Sequence, residues 1–136
     1  MSLNIQVEIV LRLLLAVGLG AAIGYQRERA GKTAGIRTHI LIALGSALFT
    51  LASIFGFGGE ADISRVAAGI VTGIGFIGAG VIFRGPRGEE LAGLTTAAGI
   101  WATAAIGLAA GAGLYILSAI ATAIIIGTLM LPRIRD

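Results

Sequence analysis

The chain has 136 residues, a net charge of +3 and no cysteine. Hydrophobic residues make up 57% of it and charged residues 12%, about half of the ~25% that is usual in soluble domains. The absence of cysteine excludes a disulfide framework and a thiolate metal site. The balance indicates an integral membrane protein. We expect a single transmembrane domain over residues 1–136, with no soluble C-terminal domain, no enzymatic activity and no nucleic-acid partner.

Five apolar segments follow one another, each near the ~20 residues with which a helix crosses a bilayer. They cover about residues 5–25, 38–57, 66–83, 91–110 and 114–131. The segments do not alternate as the strands of a membrane β-barrel do. The sequence therefore predicts an all-α integral membrane fold, a compact bundle of five transmembrane helices.

The last two segments form one run, Leu91 to Leu131, without a charged side chain. As a single helix it would be roughly 60 Å long, twice the ~30 Å thickness of the hydrocarbon. The run must therefore fold back on itself. Gly111-Ala112-Gly113 is the obvious turn, so helices 4 and 5 are predicted to form a tight hairpin.

Basic residues set the predicted orientation. All of the ten lysines and arginines except Arg12 and Arg65 lie in three places. These are the loop after helix 1, the loop after helix 3 and the C-terminus, with Arg27, Arg29, Lys32, Arg37, Arg84, Arg87, Arg133 and Arg135. With five crossings these places share one side, which should be the cytoplasm. We expect a plasma (inner) membrane protein with its N-terminus outside and its C-terminus in the cytoplasm.

Glycine is abundant, with 22 residues. Small residues at four-residue spacing let membrane helices approach closely, within one chain or between copies. The predicted packing positions are Gly20, Gly24, Gly69, Gly73, Gly78 and Gly80, and Thr103, Gly107 and Gly111 share a face of helix 4. Gly73–Gly78 also matches a dinucleotide fingerprint, but that motif needs a preceding buried strand and a following helix. We interpret this segment as a packing ridge, or as a point where helix 3 bends or unwinds.

Polar residues at the predicted outer ends are the first candidate sites. Glu8 and Arg12 are four residues apart, so they either form an ion pair on one helix face or leave Arg12 to contact a neighbouring helix or an anion. Asp62 begins helix 3, with Arg65 one turn on. Glu60 and Asp62 are candidate outer contacts for a divalent cation, because Mg²⁺ prefers carboxylate oxygens.

At the predicted inner ends, Arg27-Glu28-Arg29 is either a solvated basic cluster or a surface for a protein or anionic lipid. His39 stands alone, so we expect an interfacial hydrogen bond and not a metal site. Thr95 and Thr96 should bond within helix 4 or across to another helix. No carboxylate is predicted near the bilayer midplane, where coupled transporters commonly place one.

Several motifs appear in an order that resembles the MgtC/SapB family of bacterial inner-membrane proteins. They are Arg27-Glu28-Arg29, Gly35-Ile36-Arg37-Thr38-His39, Leu44-Gly45-Ser46, Asp62 with Arg65, Gly73–Gly80 and Gly93-Leu94-Thr95-Thr96. The resemblance extends from about Arg12 to Gly107. It marks as important polar positions Arg27, Glu28, Arg37, Thr38, His39, Asp62, Arg65, Thr95 and Thr96.

The resemblance implies a link to growth at low Mg²⁺ and to virulence. Two mechanisms stay open. The chain either transports Mg²⁺ or another ion, or regulates a membrane complex such as the F-type ATP synthase. We expect a homo-oligomer, with a dimer favoured over larger assemblies. We expect no cofactor other than Mg²⁺. A small exporter of the four-helix type is a weaker third reading, because helix count and the Glu8–Arg12 pair argue against it.

Overall fold

The computed structural model describes residues 1–84 and 91–132 of the chain. Within these residues it forms five helices, as predicted, and one pair of two-residue strands, antiparallel with Phe83 opposite Ala92. The elements are α1 (Leu3–Arg29), α2 (Ile36–Phe55), α3 (Ser64–Gly80), β1 (Phe83–Arg84), β2 (Leu91–Ala92), α4 (Leu94–Gly111) and α5 (Tyr115–Leu129). The helical architecture is therefore confirmed. Arg87, Arg133 and Arg135 of the basic segments lie outside the described residues.

Helix lengths differ from the predicted spans at several ends. In the described residues, α1, α2 and α4 are long and apolar enough to cross a membrane, while α3 and α5 are shorter apolar helices. α1 has 27 residues, about 40 Å, and continues past Tyr25 because Gln26–Arg29 are polar residues that favour helix. α4 begins at Leu94, later than predicted, because β2 and Gly93 at φ +84° precede it.

The first close contact joins α1 to α2. A Cβ atom on Gly20 would lie 2.7 Å from the His39 carbonyl oxygen, and one on Gly24 would lie 2.6 Å from Ile36 Cα. Distances below 3.0 Å leave no room for a side chain. The two backbones therefore touch along the face that Gly20 and Gly24 share.

A second close contact joins α4 to the neighbouring face of α2. A Cβ atom on Gly107 would lie 2.8 Å from Ala43 Cα, and one on Gly111 would lie 2.9 Å from Ala47 Cα. Ala43 and Ala47 are fully buried. Ala43 thus lies between Gly20 of α1 and Gly107 of α4, and α2 is the centre of the bundle.

α3 packs differently from the other helices. Its Ile74 is buried in a cluster with Ile100 and Ala104 of α4, whereas α3 touches α2 much less. Gly78 makes only ordinary contact, its Cβ position 3.8 Å from Ala97 Cβ. α3 is one continuous helix through Gly73–Gly78, so it is not unwound there, and no strand precedes the fingerprint motif in the described residues.

The packing expected at three glycines of α3 is not found within a single copy. Among the described residues, no atom lies within 4 Å of a Cβ position on Gly69, Gly73 or Gly80. The physical reason is that α3 meets α4 through Ile74 and Gly78, on another side of the helix. These glycines are exposed within a single copy.

The hairpin between α4 and α5 turns where the sequence predicts it. α4 ends at Gly111, Gly113 takes φ +86°, and α5 begins at Tyr115. The Leu114 amide donates to the Ala109 carbonyl at 3.0 Å. A positive φ is unfavourable for residues with a side chain, which explains glycine at position 113.

Gly107→Ala should destabilise the bundle, because the added methyl group would overlap the α2 backbone. We expect a loss of about 1–3 kcal/mol in the free energy of unfolding, measured by denaturant titration in mixed micelles. Gly18→Ala is the matched control, since nothing described lies within 4 Å of its Cβ position. It should be neutral or stabilising by up to about 1 kcal/mol. Equal effects of the two changes would contradict the packing described here.

Candidate functional site

Polar side chains gather at two opposite ends of the bundle. The Arg12 cluster comprises Glu8, Arg12, Phe55, Tyr115 and the Gly111 carbonyl. The Arg27 cluster comprises Gln26, Arg27, Glu28, His39 and Thr96. Arg27 follows Arg12 by fifteen positions in α1, about 22 Å along the helix. That is less than the ~30 Å hydrocarbon thickness.

The Arg12 guanidinium group connects three helices, α1, α2 and α4. Its Nε donates to Glu8 Oε1 at 2.9 Å, and its Nη1 donates to the Gly111 carbonyl at 3.1 Å. The group lies 5.7 Å from the centre of the Phe55 ring, where a cation is attracted to the aromatic face. The two predicted roles of Arg12 are therefore compatible, because it pairs with Glu8 and also contacts neighbouring helices.

Tyr115 and Gly113 complete the Arg12 cluster. The Tyr115 hydroxyl donates to Glu8 Oε1, which ties the start of α5 to α1. A Cβ atom on Gly113 would lie 2.8 Å from Arg12 Nη2, so this glycine serves the turn and makes room for the guanidinium. Tyr115 was not among the predicted site residues. The available signal was its position directly after the hairpin, at the same end as Glu8.

Arg27 is the most buried charge described, with 2% of its surface exposed. Its Nη2 atom donates to Thr96 Oγ1 at 3.4 Å, which joins α1 to the first turn of α4. The interpretation of Arg27 as part of a solvated basic cluster is therefore wrong. Arg29 remains exposed and donates to the Tyr25 hydroxyl at 3.3 Å.

His39 lies beside Arg27 and is 1% exposed. Its Nδ1 is 2.8 Å from the Gly35 carbonyl, which can only accept, so Nδ1 carries the hydrogen. Among the described residues, no group bonds to the buried Nε2 atom. The predicted hydrogen bond is present, and it is made within the first turn of α2.

Two neighbouring side chains fasten helix ends in the same cluster. Glu28 Oε1 accepts from the Ile36 amide at 3.4 Å, and so supplies the cap that Gly35 cannot provide. Gln26 Nε2 donates to the Leu129 carbonyl at 3.5 Å, near the end of α5. Gln26, like Tyr115, was not among the predicted site residues.

The remaining predicted polar residues do not converge on either cluster. Glu60, Asp62 and Arg65 are exposed, and Asp62 Oδ1 accepts from the Ser64 amide at 3.0 Å and the Ser64 hydroxyl at 2.7 Å. Asp62 thus fastens the start of α3. In the part of the chain that the structure describes, no group of three or more His, Cys, Asp or Glu side chains is placed to hold a metal ion.

Three further predicted positions lie in first turns. Arg37 is exposed and Thr38 half-buried at the start of α2, and Thr95 is half-buried beside Thr96. Deeper in the bundle, hydroxyl groups bond to carbonyl oxygens. Ser46 Oγ donates across to the Ala104 carbonyl at 2.7 Å, and Thr103 Oγ1 donates within α4 to Gly99 at 2.7 Å.

Comparison with known proteins identifies the family. The MgtC family model matches residues 13–135. The chain belongs to the MgtC family. It is 51% identical over 108 residues to YhiD of Escherichia coli K12, named "Putative magnesium transporter YhiD", with 74% of this chain and 49% of that protein covered.

Two further relatives carry other names. Protein SrpB of Synechococcus elongatus is 46% identical over 107 residues, which cover 71% of this chain and 59% of SrpB. Protein MgtC of Brucella abortus is 45% identical over 108 residues, 79% of this chain and 44% of that protein. The chain thus matches about half the length of these curated relatives. No solved structure matches this chain.

Arg12→Met should loosen the α4–α5 hairpin, because methionine keeps much of the side-chain volume but none of the donors. We expect the free energy of unfolding to fall by about 1.5–3 kcal/mol, the usual contribution of a hydrogen bond to a charged group. Arg65→Met is the control, since Arg65 is exposed and makes no ion pair within the described residues. Its effect should stay within about 0.5 kcal/mol. An Arg12 variant as stable as the Arg65 variant would show that the cluster does not hold the hairpin.

Proposed function

We propose that the chain crosses the membrane five times. Gly107 lies beside Ala43 and Gly111 beside Ala47, which means that α4 runs in the same direction as α2. Glu8 contacts Tyr115 at one end of the bundle and Gln26 contacts Leu129 at the other, so α5 runs with α1. This alternation supports five crossings, although α3 and α5 are only about 25 and 22 Å long.

We further propose that the protein resides in the bacterial plasma (inner) membrane, with its N-terminus outside. Family membership and apolar helices support the membrane, and the basic connection between α1 and α2 supports the orientation. Its function, by this proposal, is to support Mg²⁺ homeostasis at low Mg²⁺. The MgtC family match and the name of the YhiD relative are the support for magnesium.

The proposed mechanism is docking, either between copies of this chain or onto a membrane complex. The observation that carries it is the packing around α2. The Gly20 and Gly107 contacts bring three backbones together at Ala43, which leaves no room there for a hydrated ion. The described carboxylates, Glu8, Glu28, Glu60 and Asp62, lie near helix ends or in a loop. An ATP synthase is one partner that the family resemblance suggests.

Ion transport is the second candidate. Glu60 and Asp62 are exposed next to the start of α3, and their carboxylates could attract a divalent cation. A path would then run outside the α1–α2–α4 core, between copies or along α3. Arg65, in the first turn of α3, would add a positive charge beside these carboxylates.

Mg²⁺ flux into liposomes separates the two mechanisms. The full chain is reconstituted with a trapped Mg²⁺ indicator, alongside an Asp62→Asn variant. Asparagine keeps the oxygen that accepts from Ser64 but removes the charge. The variant should therefore keep the start of α3 intact while it loses the attraction for a cation. The docking proposal expects no flux above that of empty liposomes for either protein. Flux that requires the Asp62 charge would refute it and support transport.

Labelling of single cysteines tests the proposed orientation, because the native chain has none. In intact cells, an impermeant thiol reagent should label Gly59→Cys, in the α2–α3 connection. It should leave Lys32→Cys, in the α1–α2 connection, unlabelled until the membrane is opened. Labelling of residue 32 alone from outside would show that the orientation is the reverse of the proposed one. Labelling of both residues from outside would refute five crossings.

A further inference from the structure

A groove runs between α2 and α3, where these helices touch little. Its volume is about 650 Å³. Leu41, Gly45 and Phe49 line it from α2, and Gly69, Gly73 and Ile77 line it from α3. Ala104 of α4 forms its floor.

Glycines make the groove smooth as well as apolar. No described atom lies within 4 Å of a Cβ position on Gly45, Gly69 or Gly73. An extended hydrocarbon chain could therefore lie against the backbone of both helices.

The two ends of the groove differ in charge. Arg37 lies four residues before Leu41, and Arg65 lies four residues before Gly69, so each arginine shares a helix face with a groove residue. Both are exposed and make no ion pair within the described residues. Around Arg65, Glu60 and Asp62 outweigh the arginine charge.

Around Arg37 the balance is reversed. Lys32 and Arg29 belong to the same end of the bundle, and Glu28 is engaged with the Ile36 amide. Among the described residues this end is therefore net positive, and a positive charge attracts an anionic lipid headgroup. A helix from a second copy would suit the glycines but would not account for a cation at this end.

We propose that this groove holds an acyl chain of an anionic phospholipid whose phosphate contacts Arg37. The lipid belongs to the leaflet at the Arg37 end. The inference goes beyond the proposed function and requires only that the chain lies in a membrane. It holds whether the protein docks or transports.

Native mass spectrometry of the full chain tests the headgroup contact. The protein is extracted from bilayers of equal phosphatidylglycerol and phosphatidylcholine, and retained lipids are counted. Wild type should retain about one lipid per chain, preferentially phosphatidylglycerol. Arg37→Gln should lower that preference about fivefold, which corresponds to about 1 kcal/mol for one surface cation. Arg65→Gln, at the other end of the groove, should leave the preference unchanged.

A matched pair of glycine variants tests the groove itself. Gly73→Leu should fill it and abolish retention of both lipids. Gly18→Leu, on α1 and equally open, should retain lipid as wild type does. Unchanged unfolding temperatures would show that both variants fold.

Three results would overturn the proposal. Retention of lipid by Gly73→Leu would place the lipid elsewhere, and a preference that depends on Arg65 would place its headgroup in the opposite leaflet. Loss of a wild-type dimer in Gly73→Leu, with no retained lipid in wild type, would make a second copy the occupant.

Discussion

The structure depends on the close approach of three helix backbones at Ala43. Lipid supplies no hydrophobic force that drives helices together, so their association rests on van der Waals contact and hydrogen bonds. Gly20 of α1 and Gly107 of α4 bring these helices against α2 from two sides. Ser46 adds one hydrogen bond between helices, to the Ala104 carbonyl. The centre of the bundle is consequently closed, and the surfaces available for function lie outside it.

Two buried or half-buried arginines fasten the ends of this core. A charge near hydrocarbon is costly unless protein groups compensate it. Arg12 is compensated by Glu8, a carbonyl oxygen and an aromatic ring, and it holds the α4–α5 hairpin to α1. Arg27 contacts Thr96 at the other end, beside His39. These clusters give the polar residues inside the apolar spans a structural role, as partners that join helices.

Hydropathy was sufficient to predict the helices and the turn at Gly113, because both follow from local composition. The glycine pattern was less informative. Gly20 and Gly73 belong to the same kind of four-residue spacing, yet Gly20 meets His39 and Gly73 meets nothing described in the chain. Spacing defines a helix face but does not say which helix, if any, covers it. Likewise, Arg12 was recognisable as a pair for Glu8, but the contacts of Tyr115 and Phe55 depend on which helices become neighbours.

The central claim is that the bundle interior is closed to water, and thiol labelling at Thr103 tests it most directly. Thr103 is fully buried on the α4 face that packs against α2, and cysteine is close to threonine in size. A charged thiol reagent, added to both faces of proteoliposomes, should leave Thr103→Cys unmodified while it labels Thr33→Cys in the exposed α1–α2 connection. Comparable labelling at both positions would reveal an aqueous path through the core and would contradict this account.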